Sequence, residues 1–199
     1  MKKLILILFA LMLTSFALAY DVPKNEEYYK TQIQNQRFLY SMTGLCNAIQ
    51  KGNSEVVELF MQAGFSPNGS YAGTPLAMFA LYQKQINSFK VLLKYGADPE
   101  TTIPPLFVSI KSQNLLSYAI KKKSSEAVKC LIENNADVNK VYNNRTPLNY
   151  ALQTRQPVVV EMLLQAGAIP DEKTYKLVNK SKDAYIKDLF AEYKNKDEK

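Results

Sequence analysis

One sequence pattern, about 32 residues long, recurs four times in this chain of 199 residues and limits its fold more than any other feature. Each copy has a leucine and an alanine close together, then a run rich in valine and leucine, and then a glycine or asparagine. The anchor leucines lie 31, 40 and 32 residues apart, at Leu45, Leu76, Leu116 and Leu148. Such an array predicts a stack of repeats, because one short unit cannot bury its own apolar face.

Each copy predicts two helices joined by a short turn. Threonine followed by proline opens the first helix in the second and fourth copies, since threonine caps free backbone N–H groups and proline suits the first helical position. Leu148 and Ala151 give this helix a narrow apolar stripe, and the small alanine lets neighbouring helices approach closely. The second helix carries bulkier valines and leucines at helical spacing. It ends where a left-handed residue is needed, at Gly64, Gly96, Asn135 and Gly167.

The fourth copy resembles the ankyrin repeat, through Thr146-Pro147-Leu148-Asn149-Tyr150-Ala151 and the later Gly167-Ala168. The resemblance covers about residues 41–170. It implies an all-α repeat: an ankyrin solenoid of about four helix-turn-helix repeats with helical N- and C-terminal caps, hairpin tips and a concave binding face. The family's histidine is replaced in every copy, so we expect its hydrogen bonds to the turn to be lost or replaced; the residues are Cys46, Ala77, Ser117 and Asn149.

The repeat register divides the chain into consecutive segments. We expect a signal peptide at 1–19, an N-terminal capping segment at 20–40, repeats within 41–170, and a C-terminal helical cap with a frayed tail at 171–199. The four repeats are predicted at about 41–68, 69–99, 109–139 and 141–170, with an insertion at about 101–108. Caps are expected because the two ends of a stack otherwise expose apolar surface.

Both caps are predicted to be helical. A leading helix is expected from Glu26 to Tyr40, with Asn25 as its cap, and a helical pair at Asp171–Lys180 and Lys182–Lys194. The last helix should bury one stripe, formed by Tyr185, Ile186, Leu189, Phe190 and Tyr193. Residues Asn195–Lys199 should fray.

The first nineteen residues have the pattern of a secretory signal. Lys2 and Lys3 precede the apolar run Leu4–Leu13, and Ala17-Leu18-Ala19 is the small-x-small pattern that predicts cleavage after Ala19. The alternative is a transmembrane anchor, but the apolar stretch is shorter than the roughly 20 residues that span a bilayer. We therefore expect a periplasmic or secreted protein with no stable membrane anchor after cleavage.

The chain has two cysteines and no histidine, which removes the commonest general base and metal ligand. Cys46 and Cys130 lie two repeats apart, on the order of 20 Å, so we expect two reduced thiols rather than a disulfide. Adjacent carboxylates such as Glu26 and Glu27 diverge on a helix and cannot form an acid/base pair. We expect no catalytic residues, no metal site, no cofactor and no enzymatic activity.

Two groups of residues are candidates for partner binding. The apolar insertion could be a contact finger with Ile103, Leu106 and Phe107, or it could fold back over the adjacent repeat. The ankyrin resemblance implies contacts at hairpin tips and first helices, at Tyr71, Tyr142, Asn143 and Arg145 on tips and Lys51, Tyr82, Lys122 and Gln153 on helices. These tyrosines could equally be ordinary surface. The run Lys121–Lys123 could bind a phosphate or an acidic partner, or only complement a helix dipole.

The function indicated is an exported, non-catalytic scaffold or adaptor that binds a protein partner. Two alternatives stay open: an immunity-type inhibitor of a toxin or hydrolase in the periplasm, and a periplasmic accessory factor that supports an enzyme, for example in oxidative-stress defence. The formal net charge of +7 falls to +5 once Lys2 and Lys3 are removed, so no nucleic-acid partner is expected. We expect a monomer.

Overall fold

A computed structural model describes residues 24–103 and 113–197 of the protein. These residues form eleven α-helices and four two-residue strands, in an all-α stack with short hairpins. In chain order the elements are α1 (Glu26–Asn35), α2 (Met42–Gln50), α3 (Ser54–Gln62), β1 (Ser70–Tyr71), β2 (Thr74–Pro75), α4 (Leu76–Tyr82), α5 (Ile86–Lys94), β3 (Thr102–Ile103), β4 (Gln113–Asn114), α6 (Leu115–Lys121), α7 (Ser125–Glu133), α8 (Pro147–Gln153), α9 (Pro157–Gln165), α10 (Glu172–Lys180) and α11 (Ala184–Asp197).

Four helix pairs make up the stack: α2 with α3, α4 with α5, α6 with α7, and α8 with α9. We call α2, α4, α6 and α8 the first helices, and α3, α5, α7 and α9 the second helices. A left-handed residue lies between the two helices of each pair, at Gly52, Lys84, Lys123 and Arg155. These four residues are spaced 32, 39 and 32 apart, so the insertion adds seven residues rather than the eight expected from the leucines.

The second repeat explains this one-residue difference, because Thr74 and Pro75 do not open its first helix as predicted. They form β2, which pairs with β1, and the helix α4 begins only at Leu76. Ala72 and Gly73 both have positive φ, which is the two-residue turn that closes a tight hairpin. Thr146 does act as predicted, since its side chain accepts a hydrogen bond from the backbone N–H of Asn149.

The core runs through all the pairs as one cluster. Phe60, Phe89, Leu131 and Leu163, all on second helices, are completely buried. Each such side chain contributes about 1.5–3 kcal/mol by leaving water. The apolar stripes read from the sequence therefore become the contacts that hold neighbouring repeats together.

Polar side chains also link each repeat to the next. Asn68 donates to the backbone oxygen of Gly96 (3.0 Å) and accepts from the amide of Asp98 (2.7 Å). Asn139 makes the same pair of bonds, to Gly167 (3.0 Å) and from Ile169 (2.8 Å). These bonds fix the spacing of the loops that carry the hairpins.

The N-terminal helix is shorter than predicted. Asn25 caps α1 as expected by accepting from the amide of Tyr28, but the helix ends at Asn35 instead of Tyr40. Arg37 has φ +62, which stops the helix and turns the chain back. Tyr40 then lies 5.2 Å from Phe65, ring centroid to ring centroid, against the first repeat.

The C-terminal helices differ from the prediction in two details. Ile186 and Phe190 are each 4% exposed, but Tyr185 is 48% exposed and is not part of the buried stripe. Its hydroxyl instead donates to Glu161 at 2.6 Å. Helix α11 continues to Asp197, past Asn195 where fraying was expected.

Both cysteines are buried and neither forms a disulfide. Within the described ranges, every helix is too short or too polar to cross a lipid bilayer.

Candidate interaction surface

The hairpin tips and the first helices meet on one side of the stack. Tyr71 at the first tip lies 6.2 Å from Phe79 of α4, between ring centroids. The equivalent tip at Tyr142–Arg145 is closed by Asn143 and Asn144, both with positive φ, and the backbone of Tyr142 bonds to that of Arg145 in both directions. We call this side the first-helix face, formed by Tyr71, Phe79, Tyr82, Tyr118, Lys121, Lys122, Tyr142, Asn143, Arg145 and Tyr150.

Aromatic rings recur along this face at one position of the repeat. Phe79, Tyr118 and Tyr150 each lie five residues before the left-handed residue of their repeat, so the stack places them side by side. Tyr82 extends the row, with its ring 4.8 Å from that of Tyr118 in an edge-to-face arrangement. This geometry is the favourable one for aromatic pairs and adds about 0.5–1.5 kcal/mol.

The phenols of Tyr82 and Tyr118 stay neutral at physiological pH. Burial raises the pKa of Tyr82 above its ordinary value. Burial, together with the neighbouring Tyr82, raises the pKa of Tyr118 to about 12. The exposed Tyr82 can therefore donate a hydrogen bond to a partner while its ring offers apolar surface, and the buried Tyr118 supports that ring from below.

Cations lie over several of these rings. The ammonium of Lys122 is 5.4 Å from the ring centroid of Tyr118, and the guanidinium carbon of Arg145 is 5.7 Å from that of Tyr150. Both distances are within the roughly 6 Å at which a cation is attracted to a ring face. The rings therefore hold the two charges close to the first-helix face.

A small depression of about 90 Å³ joins the third and fourth repeats on this face. Its lining combines a hairpin tip with two first helices, in Ser117, Lys121, Tyr142, Asn143, Arg145 and Tyr150. A larger cleft of about 450 Å³ lies elsewhere, between the α8–α9 turn and the two C-terminal helices. Gln153 lines that larger cleft rather than the depression.

The structure brings most of the predicted contact residues onto the first-helix face. Tyr71 and Tyr82 are 39% and 42% exposed, and Lys122, Asn143 and Arg145 are also exposed. Lys51 lies apart, over the ring of Phe38 near the N-terminal cap. The backbone of Ile103 belongs to β3, whereas Leu106 and Phe107 lie outside the described residues.

Three residues of the face were missed by sequence reasoning: Phe79, Tyr118 and Tyr150. Part of the signal was present, because Tyr118 and Tyr150 each lie two residues after the anchor leucine of their copy, whereas Phe79 lies three residues after Leu76. The second copy hid it, since placing Thr74 at the helix start shifted that copy by one residue.

The described residues hold neither a metal-binding cluster nor a thiol with a lowered pKa. No cluster of three or more Cys, Asp or Glu side chains that could hold a metal ion occurs among them. Burial raises the pKa of the Cys46 thiol to about 11, and burial also raises that of Cys130. Both sulfurs therefore stay protonated, and a protonated thiol is a poor nucleophile.

Comparisons with known proteins agree with this architecture. The family model described as "Ankyrin repeats (3 copies)" matches residues 15–103 and 105–174. An ankyrin repeat protein of fowlpox virus is 25% identical over 130 residues, which is 65% of this chain and 29% of the viral protein. The transient receptor potential channel pyrexia of Drosophila melanogaster is 34% identical over 98 residues, which is 49% of this chain and 10% of the channel.

Among solved structures, the ankyrin repeat domain of human ASB11 superposes with a TM-score of 0.57 at 21% identity. The match covers 75% of this chain and 68% of that domain. At this identity the likeness establishes the fold alone. The chain spans less than a third of the length of each of the two sequence relatives, so their own activities do not transfer to it.

Proposed function

The chain belongs to the ankyrin repeat family, and from that premise we propose that it is an exported, non-catalytic scaffold that binds one protein partner through its first-helix face. Ankyrin repeats indicate a protein–protein interaction scaffold, and such proteins are typically not catalysts.

Two exposed tyrosines of the first-helix face, Tyr71 and Tyr82, carry this proposal. Tyr82 is 42% exposed although it packs edge-to-face on Tyr118, and Tyr71 is 39% exposed beside Phe79. Tyrosine and arginine dominate the energetics of protein interfaces, because each combines large contact area with hydrogen-bonding ends. The rings of Tyr71 and Tyr82 already pack on Phe79 and Tyr118, so binding a partner immobilises few additional side chains.

A photo-crosslinking experiment tests the surface. The photoreactive amino acid benzoylphenylalanine replaces Tyr82 in one variant and Tyr185 in a control, and both are irradiated in the exported fraction of cells that naturally make the protein. Tyr82 and Tyr185 are 42% and 48% exposed, so the two probes are similar in accessibility. Tyr185 lies on α11, where its hydroxyl bonds to Glu161 of the second helix α9.

The expected result is one adduct of discrete mass from the Tyr82 probe and none from the Tyr185 probe. Equal adducts from both positions, or adducts from Tyr185 alone, would contradict the proposed surface.

Export is proposed from residues 1–19. Mass spectrometry of the protein recovered from the cell envelope or medium should find Tyr20 as the first residue. Recovery only inside the cell with Met1 to Ala19 still attached would refute this part of the proposal.

A further inference from the structure

The charged side chains of the four repeats are unevenly distributed between first and second helices. The first helices α2, α4, α6 and α8 contain no acidic residue, and neither do the two tips at 71–74 and 142–145. The acidic residues of the helix pairs all lie on second helices, at Glu55, Glu58, Glu126, Glu133 and Glu161.

The cations on the two sides also differ in their partners. All three lysines of the second helices form salt bridges: Lys90 with Glu126, Lys94 with Glu58, and Lys129 with Glu133. Among the described residues, by contrast, no carboxylate lies within 4.0 Å of Lys121, Lys122 or Arg145. The first-helix face therefore carries uncompensated positive charge, whereas every lysine of the second helices is paired and their five glutamates outnumber those three lysines.

A helix-dipole role explains only part of this charge. Lys121 lies in the last turn of α6 and Lys122 is its C-cap residue, where cations are favourable. Arg145 lies in a hairpin tip, yet it lines the same depression as Lys121 and is held over the ring of Tyr150. Two cations from separate elements, Lys121 and Arg145, thus line one depression, and Lys122 follows Lys121 at the end of α6, over the ring of Tyr118.

We propose that the occupant of this face is an acidic segment of the partner protein, an inference that rests on the proposed function above. Carboxylates of the segment pair with Lys121, Lys122 and Arg145. The guanidinium of Arg145 can donate two parallel N–H hydrogen bonds to one carboxylate. Apolar or aromatic side chains between those carboxylates pack on Tyr82 and the ring row. Placing the charges over rings limits the side-chain entropy that ion pairing costs.

Selection from a random peptide library tests this proposal without knowledge of the partner. Phage-displayed linear peptides are panned on the full-length protein, and an enriched peptide is titrated by fluorescence anisotropy. The test variant is Lys122→Glu with Arg145→Glu. The matched control is Lys182→Glu with Lys187→Glu, which changes the net charge equally on exposed residues near and on α11.

The expected result is enrichment of peptides rich in Asp and Glu, with affinity falling about 100-fold in the test variant and by less than about twofold in the control. Affinity should also weaken as salt rises. Enrichment of neutral or basic peptides, or equal losses in both variants, would overturn the proposal.

Two further outcomes separate this proposal from the proposed function. Neutral peptides that lose binding on Tyr82→Ala but not on Lys122→Glu with Arg145→Glu would leave the surface in place and refute its acidic occupant. If Tyr82→Ala changed the affinity of none of the enriched peptides, both the acidic occupant and the proposed binding surface would be refuted. A further outcome is that no acidic peptide is enriched, while heparin or phosphatidylglycerol vesicles bind the wild type and not the test variant. This would show that the face binds an anionic polymer or membrane instead of a protein segment.

Discussion

At the scale of single residues, Asn149 links the fourth repeat to the C-terminal cap. It is 1% exposed, its amide nitrogen lies 3.0 Å from both carboxylate oxygens of Asp171, and its oxygen accepts from the Thr174 hydroxyl at 2.8 Å. Asn149 stands where the ankyrin motif has histidine. The hydrogen bonds expected to be lost or replaced are, at this position, replaced by bonds to the next helix.

Replacing Asn149 with alanine should therefore destabilise the protein. Thr174 is completely buried and would lose a partner, which costs about 1–3 kcal/mol of the free energy of unfolding. Urea denaturation followed by circular dichroism measures this, with exposed Asn47→Ala on α2 as the control, expected within about 0.5 kcal/mol of wild type. Equal stability of Asn149→Ala and Asn47→Ala would show that the network contributes nothing.

Asp171 should add a pH-dependent part to the same stability. Burial opposes its ionisation, but hydrogen bonds from Asn149 and Thr174 hold the pKa of Asp171 below its ordinary value. A lowered folded-state pKa gives stability that is complete above the unfolded value of about 3.9 and is lost as pH falls through the folded value. The difference in unfolding free energy between wild type and Asp171→Asn should thus be largest above pH 5 and shrink below pH 4. A difference that is constant from pH 6 to pH 3 would contradict this.

Residue type alone predicted some of these conformations and missed others. The glycines and asparagine that end the second helices were predicted, because those residues adopt positive φ readily. The turns at Lys84, Lys123 and Arg155 were not, since lysine and arginine give no local sign of a left-handed backbone. Only the repeat register, which aligns them with Gly52, identifies these positions.

At the scale of elements, the turn between the two helices of a repeat is a place to gain stability. Lys84 has φ +58 and is exposed, with no hydrogen bond or salt bridge from its side chain among those the structure describes. Lys84→Gly should stabilise the protein by up to about 1 kcal/mol. A left-handed backbone costs a non-glycine residue about 1–2 kcal/mol, and glycine avoids this cost. Part of the gain is lost because glycine gives the unfolded chain more conformational entropy.

Thermal unfolding of Lys84→Gly measures this effect. Its control is Lys187→Gly inside α11, where the same exchange removes helix propensity and should cost about 1 kcal/mol. A lower melting temperature for Lys84→Gly than for wild type would show that the turn is not strained.

Element boundaries were the least predictable part of the fold. The pattern from Glu26 to Tyr40 suits a helix throughout, yet the chain turns at Arg37 so that Tyr40 can pack on the first repeat. Thr74-Pro75 suits a helix start, yet Ala72 and Gly73 close a hairpin that takes both residues into a strand. In each case tertiary packing or a neighbouring turn outweighs a local preference.

At the scale of the whole molecule, the repeat period predicted the stack, because the same apolar positions recur in every unit. The period could not predict the first-helix face in the same way, since its residues come from hairpin tips and helices that are distant in sequence. Tyr82 and Tyr118 are 36 residues apart along the chain but their rings touch. Charge separation between first and second helices became visible only once each helix had been assigned to its side.

Calorimetric titration of the crosslinked partner, once purified, tests the central claim most directly. Tyr82→Ala with Arg145→Ala should weaken binding by at least about 30-fold, since tyrosine and arginine at an interface centre each contribute about 2 kcal/mol. The control Val158→Ala with Tyr185→Ala removes exposed side chains on the second helix α9 and on α11 and should change the affinity by less than about twofold. Both proteins should keep the circular dichroism spectrum of wild type. Weaker binding in the control, with unchanged binding in the Tyr82 and Arg145 variant, would show that the partner binds elsewhere on the stack.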